Sequence, residues 1–301
     1  MLATAVFIEV LLVVTMAIIE ISNASRIFGF GDAATIALDD VAINIEKGEF
    51  LAIMGPSGSG KTTLMNTIGL LDRPTHGTYK LEGRDVAKMR VNRRAKMRRD
   101  NIGFVFQSFN LLPRVSIIEN VSLPLLYKGM GQTKRLKRAA AVLEQVGLSE
   151  REYFYPHQLS GGELQRAAIA RALVNNPSII IADEPTGNLD SESTRVVMEL
   201  LGEVHKMGNT ILMVTHNPIL TRYASRIIYM RDGSIVYDEA SAVGELPGRV
   251  ERALQAVRSS REEERLAGVS DYIRAIPQNK TPARKSQRTK KQATRTRKKR
   301  S

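Results

Sequence analysis

Gly55-Pro56-Ser57-Gly58-Ser59-Gly60-Lys61-Thr62 is the stretch of this chain most able to do chemistry. It fits G-x-x-x-x-G-K-[ST], a phosphate-binding loop. Its glycines let backbone N–H groups turn inward and cradle phosphates. Lys61 can reach β- and γ-phosphates, and the hydroxyl of Thr62 can ligate Mg²⁺. Thr63 follows and opens the next element. Two adjacent acids, Asp183 and Glu184, end the apolar run Ile179–Ala182. A carboxylate at the tip of a buried parallel strand is placed to hold Mg²⁺ through water, and this is the role read for Asp183. Ser160, Gly161, Gly162 and Glu163 form a third candidate. They open a helix read as Glu163–Val174, whose bare N–H groups and positive dipole end suit another phosphate.

These groups need elements that bring them together. Glu49–Met54 reads as a buried strand running into the loop, and Thr63–Ile68 as the helix leaving it. Ile102–Phe106 and Ile211–Val214 read as further strands, ending next to Gln107 and His216. Alternation of such strands with longer helical patterns over residues 49–231 predicts an α/β fold. Its core is a mainly parallel sheet covered by helices. Ala17–Ser22 and Val41–Ile45 read as strands of an added N-terminal antiparallel subdomain. Residues 110–165 carry no strong strand signal. Thr133–Val146 has Leu136, Ala140, Leu143 and Val146 on one side, so this block reads as an inserted α-helical subdomain. Ile227–Met230 and Ile235–Tyr237 form a hairpin around Asp232-Gly233.

Leu159-Ser160-Gly161-Gly162-Glu163 resembles the signature motif of ATP-binding-cassette (ABC) proteins, and the other parts fall in that family's order. The resemblance covers residues 17 to about 240 and implies a P-loop NTPase. It implies that Glu184 is the general base that polarises the attacking water. It matches Gln107 to the glutamine that senses Mg²⁺ and the lytic water, and Asn188-Leu189-Asp190 to the D-loop. It matches His216 to the histidine that contacts the γ-phosphate. His76, His157 and His205 are read as structural. In the family, Ser160, Gly161 and Gly162 meet the γ-phosphate held by the opposite subunit. The family stacks adenine on a tyrosine, for which this chain offers Phe28, with Phe30 as a rival.

Leu64–Thr75, Phe106–Pro113 and Pro185–Asp190 resemble the macrolide-export, lipoprotein-release and cell-division type (MacB, LolD, FtsE). This implies an ATPase that binds two MgATP between two head-to-tail copies. It implies a partner permease with a large external domain, and a peripheral place on the cytoplasmic face of a bacterial membrane. The alternatives are an ABC ATPase acting on nucleic acid or ribosomes, and a regulator of a cell-wall enzyme.

The chain has 301 residues and no cysteine, which excludes disulfide and thiol chemistry. Residues 1–15 are an apolar extension, read as a misplaced start or, alternatively, a membrane anchor; the run Leu2–Ile19 is short for a span and contains Glu9. Arg249–Ala267 reads as a charged helix within a linker, 241–279. Residues 280–301 hold eleven Lys/Arg and no Asp/Glu, against a formal net charge of +13 for the whole chain. The body is thus nearly balanced. The tail reads as disordered and suited to polyanions, with anionic lipid preferred over nucleic acid.

Overall fold

The computed structural model describes residues 17–240 and Gln255. The readings for residues 1–15, for the tail 280–301 and, apart from Gln255, for the linker 241–279 lie outside the described residues.

Two sheets and a helical layer make up the body. The described residues open with β1 (Ala17–Phe28) and β2 (Thr35–Glu46), followed by β3 (Phe50–Met54) and α1 (Lys61–Ile68). Next come β4 (His76–Leu81), the short β5 (Arg84–Asp85), α2 (Val91–Asn101) and β6 (Ile102–Phe106). Three helices follow: α3 (Ile117–Tyr127), α4 (Gln132–Gln145) and α5 (Gly161–Leu173). The last elements are β7 (Ile179–Asp183), α6 (Ser191–Lys206), β8 (Thr210–Val214), β9 (Arg226–Arg231) and β10 (Ser234–Ala240).

The smaller sheet has the order β2-β1-β4-β5 and pairs antiparallel throughout. The larger has the order β10-β9-β3-β8-β7-β6. All its pairings are parallel except the β9–β10 hairpin at the edge. Period-two alternation splits the core. Leu51 and Ile53 of β3 join Ile19, Ile45, Leu64 and Ile68 in the layer that faces the smaller sheet and α1. Phe50 and Ala52 point the other way, onto Val197 and Leu201 of α6. Ala17, Ile18 and Ile19, the end of the N-terminal apolar run, belong to β1, where Ile19 is fully buried.

The helical layer has its own core. Ile117, Val121 and Leu125 of α3 pack with Val142 and Leu143 of α4 and Ala167 and Ala170 of α5. α5 also places Ile169 against the sheet. It therefore belongs to both layers, and its two ends reach two different parts of the site.

Candidate functional site

Parallel strands point their C-terminal ends to one edge, and the chemistry of an open α/β sheet gathers there. In this chain β3 leads to Lys61, β7 to Asp183 and Glu184, β8 to His216 and β6 to Gln107.

The loop after β3 is shaped by glycine. Gly60 caps α1 with φ of 96°, in the left-handed region that glycine adopts freely. A Cβ there would sit 2.6 Å from the carbonyl oxygen of Ala37. A Cβ on Gly55 would run into the carbonyl oxygen of Met230. At these two positions the loop is therefore pressed against β2 and the β9–β10 hairpin and has room only for bare backbone. Lys61 Nζ donates to the carbonyl oxygens of Gly55 (2.9 Å) and Pro56 (2.7 Å), so the ammonium folds over the loop. Among the described residues the buried hydroxyl of Ser59 has no hydrogen-bond partner. Burial pushes the Lys61 amine below its ordinary range, opposed by the carboxylates of Glu184 and Asp183. Burial, then the neighbouring Glu184, pushes the Asp183 carboxyl up, opposed by Lys61. A cation, two carboxylates and the backbone of the glycine-rich loop thus share one small space.

Glu184 leaves the strand direction at once. Its φ is 45°, its N–H donates to the carbonyl of Val214 (2.9 Å), and its side chain turns to His216. His216 Nδ1 lies 2.9 Å from Glu184 Oε1, and the imidazole is otherwise largely exposed. The two ends of adjacent strands β7 and β8 are therefore joined by this pair. Gln107 is engaged as well. Its Nε2 donates to Asn188 Oδ1 (3.3 Å), and Asn188 Nδ2 donates back to the Gln107 carbonyl (3.1 Å).

Ser160 stands apart. Its hydroxyl accepts from the N–H of Glu163 (3.3 Å), and its own N–H donates to the Glu163 carboxylate (2.8 Å), a complete capping box. Glu163 also pairs with Arg151 (3.2 Å). Its carboxylate is spent on the helix start, and its N–H with it. The N–H groups of Gly161 and Gly162 remain without intrahelical partners. A Cβ on Gly162 would meet Ser193 Oγ at 2.7 Å, so the helix start packs on the first turn of α6. Among the described residues no hydrogen bond joins Ser160 to the Gly55–Thr62 loop.

The two candidate rings differ sharply. Phe30 is 94% exposed, whereas Phe28 is 43% exposed and carries the guanidinium of Arg26 over its face at 4.2 Å. Asp72 holds that guanidinium at 2.8 Å. His205 Nε2–H donates to the Gly48 carbonyl at 2.8 Å, and the ring packs edge-on against Phe50. The sequence reading missed Arg26 and Arg171, since neither lies in a motif.

The sequence profile described as ABC transporter matches residues 38–187. An ABC transporter ATP-binding protein of Methanocaldococcus jannaschii, MJ1508, is 53% identical over 218 residues, which are 72% of this chain and 97% of that protein. The chain belongs to the ABC transporter ATP-binding proteins. It is an ABC ATPase cassette. The macrolide export ATP-binding/permease protein MacB of Hyphomonas neptunium is 47% identical over 227 residues, 75% of this chain and 35% of that longer protein. Among solved structures, the dimeric cassette MJ0796 in a post-hydrolysis state with ADP and Pi aligns with a TM-score of 0.69 and 43% identity. The alignment covers 74% of this cassette and 99% of that chain. The expected fold, a mainly parallel core with an antiparallel subdomain and a helical insertion, is the fold observed.

Proposed function

We propose that two copies of this cassette bind two ATP molecules between them, head to tail, and drive a membrane permease from its cytoplasmic side. One observation carries the composite site. Lys61, Asp183, Glu184 and His216 converge on one sheet edge, while Ser160 is bonded to Glu163 at its own helix start and, among the described residues, makes no hydrogen bond to that edge. A second copy would supply Ser160, Gly161 and Gly162. The dimeric MJ0796 structure supports this reading.

Within one site, the residues from Gly55 to Thr63 hold the phosphates, with Lys61 neutralising charge. Glu184 takes the proton of the attacking water, and His216, 2.9 Å from its carboxylate, contacts the γ-phosphate. The donor set fits Mg²⁺: the Thr62 hydroxyl, the Asp183 carboxylate and the Gln107 amide oxygen are hard ligands. Among the described residues no three His, Asp or Glu side chains form a metal cluster. Magnesium suits such a site, because it takes one or two protein groups and completes its shell with phosphate and water. When bound, it would offset the negative charge of the phosphates. Phe28 is the platform for the base.

The likeness to MacB, a macrolide export ATP-binding/permease protein, supports a permease partner. The docking place assigned to that partner is a cavity of about 690 Å³. Leu71, Phe104, Phe106, Leu123 and Pro124 make it apolar, and Lys96, Arg99 and Arg171 surround it. The apolar block after Gln107 is thus partly internal: Ile117, Ile118, Val121 and Leu125 are buried, while Leu112, Leu126 and Tyr127 are exposed. Tyr127→Glu is expected to release the subunit from permease-containing membranes and spare basal ATP hydrolysis; retained attachment places the docking surface elsewhere. No helix among the described residues is long and apolar enough to cross a membrane.

Glu184→Gln tests the catalytic assignment. The amide keeps the shape and loses basicity, so ATP binding persists, turnover falls by about 10²-fold or more, and ATP traps a dimer visible by gel filtration. Parent-like turnover in that variant removes Glu184 as the base.

A further inference from the structure

The last turn of α5 holds a cation that no part of the reaction above uses. Arg171 is mostly buried, and burial, with no carboxylate beside it, is what depresses its pKa. Its guanidinium instead donates to two consecutive backbone carbonyls, Nη2 to Phe109 (2.9 Å) and Nη1 to Asn110. Those two residues are unusual. Phe109 has φ of 59° and Asn110 of 52°, both left-handed and neither glycine. Left-handed backbone is costly for a bulky residue such as phenylalanine and persists only where the surroundings over-determine it. Here the surroundings are a planar fork whose two arms match two adjacent carbonyls. The strained pair lies just beyond Gln107, in the segment that leaves β6.

We propose that Arg171 is a positioning residue for Gln107: it clamps the strained turn at Phe109 and Asn110 and so ties the glutamine's loop to the helix that begins at Ser160. The inference rests on the role given to Gln107 above. It has a second consequence. Arg171, Phe106, Asn110 and Tyr127 line the same cavity, so whatever fills that cavity touches the clamp and reaches the catalytic loop through it.

The test separates clamping from packing. Arg171→Gln in the full-length protein removes the fork. Releasing strain of the size held at one such residue shifts the loop population about tenfold, so kcat falls about tenfold while KM for ATP stays within about twofold. Adding Phe109→Gly and Asn110→Gly, which accept left-handed backbone without cost, is expected to restore most of the lost turnover. A general packing defect would not be repaired by two glycines on another element. Where Arg171→Gln does not accumulate as folded protein, Arg171→Lys serves, since a single ammonium keeps the charge and loses the fork. Parent-like turnover in the variant, or slowed turnover that the glycines leave unrepaired, overturns the proposal. A parent protein with no ATPase activity at all would instead refute the function assigned above.

Discussion

Replacing Gly103 with alanine drives a methyl group into the helix that carries both Ser160 and Arg171. Gly103 is the second residue of β6, and a Cβ there would stand 2.5 Å from the carbonyl oxygen of Ala172 and 3.0 Å from its Cβ. The obstacle is mostly backbone, so no rotamer change relieves it. Ordinary contact begins near 3.4 Å, so α5 must retreat by about 0.9 Å at that end. Overpacking of this kind costs about 1–3 kcal/mol. For a body of this size that lowers Tm by roughly 2–12 °C. Turnover should fall as well, because the retreat moves α5 relative to the strand that leads to Gln107. Gly202→Ala is the opposite case. Gly202 lies inside α6, and the nearest atom to its added Cβ is Tyr223 Cδ1 at 3.9 Å, an ordinary contact. Alanine there should stabilise by about 0.5–1 kcal/mol through helix propensity alone. Differential scanning calorimetry of the two variants beside the parent reads both signs. A Gly103→Ala protein as stable and as active as the parent would refute the close packing of α5 on β6.

Asp183→Asn should stabilise the ATP-free protein while abolishing hydrolysis. The Asp183 carboxyl is pushed up by burial and by Glu184, so the folded state binds its proton more tightly than the unfolded chain does. Stability therefore falls as pH rises from the ordinary aspartate range through the raised value, and the variant's gain in Tm should be larger at neutral pH than in the ordinary aspartate range. A gain that shrinks with rising pH contradicts the assignment. Phe28→Ala should raise KM for ATP fivefold or more, since stacking of a base is worth about 1–3 kcal/mol, and Phe30→Ala should leave it within about twofold. The reverse order in steady-state kinetics would move the base platform to Phe30.

Most of the fold could be read in advance because its signals are local. Buried parallel strands such as Phe50–Met54 and Ile179–Asp183 are short, nearly unbroken apolar runs. α4 shows a one-sided apolar pattern and was expected within a residue of its observed ends. α2 was not foreseen. Val91–Asn101 has no buried side chain and is dominated by arginine and lysine, so it has no stripe for periodicity to detect. α3 carries Pro124 inside it, which interrupts the helical signal. The site residues near Lys61 and Asp183 were legible because phosphate chemistry fixes residue types at fixed spacing. Arg171 was not, because its partners are backbone carbonyls, which any sequence would supply. The capping box of Ser160 and Glu163 is readable from S-x-x-E spacing, yet its consequence, that the Glu163 carboxylate serves the helix start, came only with the coordinates.

Complementation between two inactive variants tests the composite site most directly. Ser160→Arg blocks the helix start offered to a partner, and Lys61→Ala removes the ammonium that belongs to the chain's own loop. Neither homodimer should hydrolyse ATP. A mixed dimer has one site in which an intact Lys61 faces an intact Ser160, and a second site in which both are lost. Equal mixing should therefore recover about a quarter of parent activity, because half of randomly paired dimers are mixed and each has one working site of two. Activity of the mixture should rise faster than linearly with protein concentration as dimers form. Recovery at that level confirms that each ATP is enclosed by two chains. A mixture as inactive as its components, measured where the parent is dimeric and active, contradicts it.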